Sequence, residues 1–148
     1  MAESDKNDHY NLQHNLQRFV DAQSHVFEEV CLELQEGRKS GHWMWFIFPQ
    51  IEGLGSSHLA RKFAISSREE AEAYLIHPIL GPRLRHCTRL VSLIEGRSID
   101  QIFSDPDDLK FHSAMTLFAN ATSDNQVFRH ALHKYFGGEL DRLTLERL

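Results

Sequence analysis

Apolar residues recur every three or four positions along most of the chain, the spacing that places side chains on one face of an α-helix. The first run of this kind contains Leu12, Leu16, Phe19, Val20, Val26, Phe27, Val30, Cys31 and Leu34. Gly37 follows the run and is typical of the residue at which a helix ends. Asp21 can cap or kink the middle of the run, so the pattern allows either one long helix or two.

Capping residues and breakers divide the rest of the chain into further short segments. N-terminal caps are predicted at Ser56 or Ser57, Ser66 or Ser67, Ser98, Asp105 and Asp124. Pro78 and Pro106 favour helix starts, while Gly96 and the pair Gly137–Gly138 favour helix ends. Each segment between these boundaries carries helical rather than alternating periodicity.

The segment His42–Gln50 is an aromatic block that contains both tryptophans of the protein. Periodicity over so short a stretch cannot separate a buried strand from a buried helix. No second strand-like run is present to pair with it, and a lone strand is not stable. We therefore predict a short buried helix that is stopped by Pro49. Together the segments predict one compact all-α domain of about seven to nine helices, several of them short, over residues 12–148, after a flexible arm at residues 1–11.

Composition places the 148-residue chain among ordinary globular proteins, with 41% hydrophobic and 25% charged residues. No apolar run approaches the roughly 18 residues that a membrane span needs, and the polar N-terminus lacks the apolar core of a secretory signal. We therefore expect a cytoplasmic protein without membrane association. The net charge of -5 argues against binding of nucleic-acid polymers. Cys31 and Cys87 lie in apolar helical patterns that are typical of reduced, buried thiols.

Several stretches resemble the bacterial domain-of-unknown-function family 1810. They are Arg18–Gln23, Gly41–Gln50, Glu70–Ala71, Tyr74–Leu75, His77–Gly81, Arg83–Leu84, Phe111–Phe118 and Lys134–Gly138. The resemblance covers about residues 12–148 and implies an all-α domain, but it implies no activity. Some members carry the label calpastatin, yet inhibitors of that kind are long disordered repeat proteins, whereas this chain is patterned to fold.

Common catalytic signatures do not occur in the sequence. It contains no phosphate-binding loop, no nucleophile elbow, no His-Glu-x-x-His and no Cys-x-x-Cys. The residues therefore identify no cofactor and no reaction, and whether the protein is an enzyme stays open.

The first candidate site lies around the aromatic block. Its residues are Lys39, His42, Trp43, Trp45, Gln50, Gly53, Gly55 and Ser56. Aromatic faces can stack on a flat ligand while lysine, histidine and glutamine supply directed polar contacts. Glycines followed by a serine-capped helix start favour the approach of an anionic group. Alternatively the aromatics fill the core, and the spacing of two between Trp43 and Trp45 prevents both from facing one direction on a helix.

A second wall of this site is predicted from Asp108, His112 and Ser113. Asp108 and His112 are four residues apart and share a helix face, so the carboxylate can orient the imidazole as a general base. The alternative is structural, since acidic residues stabilise a helix N-terminus and small residues allow tight packing.

Two basic patterns remain. His130 and His133 are three apart, but no third ligand is evident and Arg129 and Lys134 disfavour a cation, so we predict no metal site. Arg85 and Arg89 are four apart and either grip a phosphate or carboxylate or form a solvated basic face.

The sequence therefore predicts a helical domain that binds a small ligand, nucleotide-like or anionic, beside the aromatic block. The alternative is a protein–protein interaction module that uses the block as an anchor, because Trp, Phe and Met are favoured at interfaces.

Overall fold

Helices form all the regular structure of residues 14–148, which are the residues that the computed structural model describes. They are α1 (Gln17–Ser24), α2 (Phe27–Glu36), α3 (Met44–Ile47), α4 (His58–Lys62), α5 (Arg68–Ile76), α6 (Leu80–Leu93), α7 (Ile99–Phe103), α8 (Asp107–Ala119), α9 (Gln126–Phe136) and α10 (Arg142–Leu145). An isolated parallel bridge joins Ile51 to Ile65. The prediction of a compact all-α domain with several short helices is confirmed. The predicted arm at residues 1–11 lies outside the described residues.

Most of the predicted helix boundaries are found where the sequence placed them. The side chains of Ser57 and Ser67 accept hydrogen bonds from backbone amides three residues later, at 3.1 Å in each case. Ser98 forms a capping box with Gln101. Gly37 ends α2 in the left-handed conformation at φ 84°, where a side chain would be strained. The first apolar run is two helices, and the break falls after Ser24 rather than at Asp21.

Two predicted caps are wrong. Helix α8 begins after Pro106 without a side-chain cap, because the Asp108 carboxylate and the Ser104 carbonyl accept hydrogen bonds from its first amides instead of Asp105. Helix α9 begins after Asn125, also without a side-chain cap. The Asp124 carboxylate lies 4.0 Å from the Arg85 guanidinium, so it is directed toward α6 rather than back onto α9.

Helix α8 is the central element of the domain. It contacts α5, α7, α9 and α10, and every residue from Ser113 to Ala119 is buried. A helix that is apolar on all sides is stable only when other elements surround it. Helix α6 contacts α2, α5 and α9 and forms the adjacent layer. Within residues 14–148, no helix is long and apolar enough to span a membrane.

The aromatic block supplies much of the core between α3, α7 and α8. Phe48 is fully buried, with its ring centroid 5.8 Å from that of Phe103 and 5.0 Å from that of Phe111. The rings of Phe103 and Phe111 stack at 5.0 Å. Such aromatic pairs add about 0.5–1.5 kcal/mol each beyond the effect of burial. The prediction that the block forms a short buried helix is confirmed.

One buried glutamine ties four helices together. The Gln23 side chain donates to the Phe46 carbonyl at 2.7 Å and to the Tyr74 hydroxyl at 3.0 Å, and accepts from Arg83 at 3.3 Å. Gln23 is 1% exposed, so these partners replace water for a side chain that could not otherwise be buried. The network fixes α1, α3, α5 and α6 relative to one another.

Gly81 marks the closest approach of α5 and α6. A Cβ atom at this position would lie 2.1 Å from the Leu75 carbonyl oxygen, a backbone atom that cannot rotate away. We expect Gly81→Ala to lower the free energy of unfolding by about 2–3 kcal/mol, because the two helices must separate. Urea unfolding measures this change. The matched control Glu72→Ala, at an exposed position of α5, should change it by less than about 0.5 kcal/mol. Equal stability of the two variants would contradict the packing.

His77 makes the connection between α5 and α6 sensitive to pH. Its Nδ1 accepts hydrogen bonds from the amides of Ile79 and Leu80 at 3.1 and 3.2 Å, which requires an unprotonated nitrogen. Burial lowers the pKa of His77 below its ordinary value of 6.5. The neutral side chain therefore stabilises the fold above about pH 6.5, and this contribution is lost as pH falls through the folded-state pKa.

We expect the stability difference between the native protein and His77→Asn to shift in favour of the variant as pH falls from 7 to 5. Asparagine keeps an acceptor for the same amides but does not titrate in this range. Urea unfolding at each pH measures the difference, and His58→Asn at an exposed position is the control. A difference that does not change with pH would show that the imidazole is not required to be neutral.

Candidate functional site

Glu33 organises the loop that leads into the aromatic block. Its Oε1 accepts hydrogen bonds from the amides of Ser40 and Gly41, at 2.7 and 2.9 Å, and from the Trp43 indole nitrogen at 3.0 Å. Burial alone raises the pKa of Glu33, but these hydrogen bonds outweigh burial and hold the pKa below its ordinary value. The carboxylate is therefore ionised at neutral pH and acts as an anchor for the loop.

The two tryptophans of the block have different environments. Trp43 is 2% exposed and packs near Phe48 and Phe103, so it belongs to the core. Trp45 is half-buried, and the Lys110 ammonium lies 4.9 Å from the centre of its ring. The Trp45 indole nitrogen is buried, and no residue in the described range accepts a hydrogen bond from it. Trp45 is thus the tryptophan that retains an unused polar group.

Lys39 is held by contacts within the protein. Its ammonium forms an ion pair with Asp107 at 2.8 Å, donates to the Gly41 carbonyl at 2.6 Å and lies 5.2 Å from the centre of a Trp43 ring. Asp107 also pairs with Lys110 at 3.4 Å. This network joins the loop to the start of α8, and the Lys39 side chain is only 9% exposed. The charge of Lys39 is therefore largely compensated before any ligand arrives.

His42 is exposed at the mouth of a small cleft beside Trp43. The cleft has a volume of ≈ 180 Å³, and its polar walls include Glu29, Glu33 and Ser40. Two carboxylates give it a negative charge, which disfavours an anionic ligand. Its volume also lies below the roughly 300–1,000 Å³ of most small-molecule sites.

The turn that carries the predicted site residues Gln50, Gly53, Gly55 and Ser56 contacts other parts of the fold. The Gln50 carbonyl accepts from the Ile65 amide at 2.8 Å, beside the isolated bridge. Arg147 lies against Gly53, where φ is 98° and a Cβ atom would overlap the guanidinium. Gly55 and Ser56 are exposed, and it is Ser57 that caps α4. Across residues 14–148, no hydrogen bond or ion pair joins this turn to Lys39 or His42.

The residues predicted as a second wall hold the C-terminal segment. The His112 ring stacks on Phe136 at 4.0 Å, and its Nε2 lies 2.8 Å from the Glu139 carbonyl. Ser113 donates to the Asp141 carboxylate at 3.1 Å. The Asp108 carboxylate accepts from the Leu109 amide rather than from His112. These contacts attach residues 139–145 to α8 and leave the imidazole without a carboxylate that would orient it.

A larger groove lies between α6 and α9, with a volume of ≈ 600 Å³. Its walls are formed by Arg85, Arg89, Ser92, Leu93, Asp124, Gln126, Val127 and His130. The four residues from α6 follow one another at spacings of four, three and one, so they lie along one face of that helix. This size is within the usual range of sites for small molecules.

Arg85 is positioned before any ligand arrives. Its guanidinium donates to the Asp124 carbonyl at 2.9 Å and lies 5.2 Å from the centre of the Phe128 ring. A guanidinium held over an aromatic ring loses less side-chain freedom when it binds an anion. Arg89 follows one turn later and is exposed, and His130 faces the same groove from α9.

The far wall of the groove contains hydrogen-bond donors without partners. Helix α9 starts there without a side-chain cap, and no described residue accepts from the amides of Gln126 and Val127. The Ser92 hydroxyl is also buried with no partner in residues 14–148. Free amides at a helix start carry partial positive charge and are suited to binding anions. The groove therefore combines two arginines with the start of a helix.

Sequence reasoning found only part of this groove. The spacing of Arg85 and Arg89 allowed either a grip for phosphate or carboxylate or a solvated basic face, and His130 was considered only as a metal ligand, where no metal site was predicted. Nothing in the sequence indicated that α6 and α9 pack together, because that contact joins positions about 40 residues apart. The start of α9 also differs from the prediction, since its N-cap is Asn125 and no side chain caps it.

The described residues form a small all-helical domain with a basic groove between α6 and α9. The chain belongs to the family described as a protein of unknown function, DUF1810, which matches residues 13–148. This confirms the family resemblance seen in the sequence. A comparison with curated proteins found no match.

Among solved structures, the chain is similar to the conserved hypothetical protein Rv1873 from Mycobacterium tuberculosis, determined at 1.38 Å. The two sequences are 58% identical, the TM-score is 0.91, and the match covers 92% of this chain and 97% of the other. The comparison shows a shared family and a shared fold. A conserved hypothetical protein carries no stated activity that could be transferred.

Glu33 provides a direct test of how the aromatic block is held. We expect Glu33→Gln to lower the free energy of unfolding at pH 7 by about 2 kcal/mol, because a charged acceptor for the Trp43 indole nitrogen and two backbone amides is replaced by a neutral one. Since the folded-state pKa is depressed, the native advantage is present above about pH 4.5 and is lost as pH falls further. Urea unfolding followed by tryptophan fluorescence measures both effects. The exposed Glu36→Gln on the same helix is the control, and equal stability of the two variants at pH 7 would contradict the anchoring role.

Proposed function

We propose that this domain binds a small anionic ligand in the groove between α6 and α9. The observation that carries the proposal is the presence of Arg85 and Arg89 on adjacent turns of one groove wall. Paired guanidinium groups present several donors in a planar arrangement that matches carboxylate and phosphate oxygens. This retains the anionic ligand expected from the sequence but moves its site away from the aromatic block.

A comparison of the charges in the groove with those in the cleft beside Trp43 supports this choice. The cleft beside Trp43 contains Glu29 and Glu33, whereas the groove contains two arginines against one carboxylate, Asp124. Asp124 is 85% exposed and 4.0 Å from Arg85, so the pair is screened by water and weak. An incoming anion can displace this carboxylate at little cost. Asp124 thus opposes anion binding without blocking it.

Trp45 favours a second candidate, a ligand bound beside the aromatic block. Its buried indole nitrogen has no acceptor in the described range, and Lys110 places a positive charge over its ring. A ligand oxygen would satisfy the indole donor once the groups that cover the nitrogen move aside. The hypothesis of a protein-interaction module has less support, because the side chains of the block that would contact a partner are mostly buried. Those in the core are Trp43, Met44, Ile47 and Phe48.

We expect inorganic phosphate to bind the native protein and Arg85→Ala/Arg89→Ala to weaken that binding at least tenfold. Each charge-assisted hydrogen bond contributes about 1.5–3 kcal/mol, which is a factor of ten or more. Asp124→Asn should strengthen binding, because it removes the one negative charge on the groove walls while keeping the carbonyl that holds Arg85. Amide chemical shifts in heteronuclear NMR titrations measure both affinity and location.

The double variant Arg61→Ala/Arg68→Ala is the matched control. It removes the same net charge from exposed positions outside the groove, so it should leave phosphate affinity within about twofold. If Trp45→Phe rather than the groove variant abolishes binding, the ligand lies beside the aromatic block. If both arginine pairs act equally, phosphate responds only to overall charge and the proposed groove site is wrong.

A further inference from the structure

We infer that the ligand of the α6–α9 groove is an organic phosphate monoester whose other end is apolar. This inference rests on the proposed function and specifies the chemical class of the ligand. Three features of the groove carry it: the number of donors, their charge and the position of two apolar side chains. Each is set by side chains or amides that have already been located.

The donors in the groove outnumber what a carboxylate can accept. Arg85 retains N–H groups beyond the one bonded to Asp124, and all five of those on Arg89 lack a partner in residues 14–148. The amides of Gln126 and Val127 add two more donors from the other wall. A carboxylate has two oxygens and accepts from one direction, whereas a phosphate monoester has three terminal oxygens that spread around phosphorus. Donors on two facing walls therefore suit phosphate.

The charge of the groove also suits a phosphate monoester. A phosphate monoester carries a charge of about −1.5 to −2 at pH 7. Arg85 and Arg89 supply two permanent positive charges, and the start of α9 adds a partial positive charge. The Arg85 guanidinium is bonded to the Asp124 carbonyl two residues before α9 begins, so side-chain and helix donors meet at one end of the groove.

The apolar walls indicate what is attached to the phosphate. Leu93 is 72% exposed and Val127 is half-buried, and both line the groove. An exposed leucine beside a concave basic site gains free energy only when something apolar covers it. The volume of ≈ 600 Å³ also leaves room for a substituent larger than the phosphate itself. A ligand with a phosphate at one end and an apolar group at the other satisfies both walls.

The test compares four probes in NMR titrations of the full chain: inorganic phosphate, phenyl phosphate, glycerol 3-phosphate and benzoate. We expect phenyl phosphate to bind on the order of tenfold tighter than inorganic phosphate and glycerol 3-phosphate, because only its substituent contacts the apolar wall. Benzoate has the same ring with a carboxylate, and it should bind at least tenfold more weakly than phenyl phosphate.

Leu93→Asn should remove the advantage of phenyl phosphate and leave the affinity for inorganic phosphate unchanged. Leu109→Asn is the matched control, since Leu109 is exposed to a similar extent at 59% but lies on α8 outside the groove. Because both positions are exposed, neither substitution should unfold the domain. A thermal melt of each variant checks this.

The outcomes separate this inference from the proposed function. If no anion binds in a manner that depends on Arg85 and Arg89, the proposed function itself is wrong. If inorganic phosphate binds through these arginines but phenyl phosphate binds no tighter, or Leu93→Asn has no effect, the proposed function stands and the apolar substituent is wrong. If benzoate equals phenyl phosphate, the site recognises carboxylates and the phosphate assignment is overturned.

Discussion

The burial of the aromatic block depends on one carboxylate. Burial of the Trp43 indole nitrogen without an acceptor would cost free energy, and Glu33 supplies that acceptor while also accepting from the amides of Ser40 and Gly41. That arrangement sets the path of the loop after α2 and delivers Phe48 to Phe103 and Phe111. Gly41 is part of the same constraint, because a Cβ atom there would lie 2.8 Å from the Trp43 ring. The central helix α8 packs against this aromatic cluster through Phe111.

The polar residues that hold the fold together lie apart from the polar residues of the candidate groove. Polar side chains near the aromatic block bond to one another or to the backbone, as Lys39 does with Asp107 and Ser113 with Asp141. Groups already satisfied inside the fold gain little from a ligand. The buried Ser92 hydroxyl and the first amides of α9 remain without partners in residues 14–148, and both belong to the groove between α6 and α9. The Trp45 indole nitrogen also lacks a partner among these residues, so the paired arginines, and not the unpaired donors alone, distinguish the groove from the aromatic block.

The groove between α6 and α9 and the cleft beside Trp43 show that helix packing can give different parts of one surface opposite local charge. The chain carries a net charge of -5, yet the contact of α6 with α9 creates a basic groove. Arg85 and Arg89 share a helix face, and the start of α9 adds its partial charge from the other side. The cleft beside Trp43 has the opposite sign because α2 contributes Glu29 and Glu33. The net charge of a chain does not describe the field at an individual site.

Local sequence determined the helices, the caps at Ser57 and Ser67 and the stop at Gly37, because each depends on residues within one or two turns. Local sequence also placed Arg85 and Arg89 on one face. The large apolar area of the aromatic block predicted its burial, but the partners that bury it come from distant parts of the chain. Only the tertiary structure decided that the Asp124 carboxylate lies near Arg85 and does not cap α9. It also decided that the Asp141 carboxylate accepts a hydrogen bond from Ser113 and that Arg147 covers Gly53. These contacts join residues far apart in the chain, and which polar groups remain free for a ligand is known only after all such partners have been assigned.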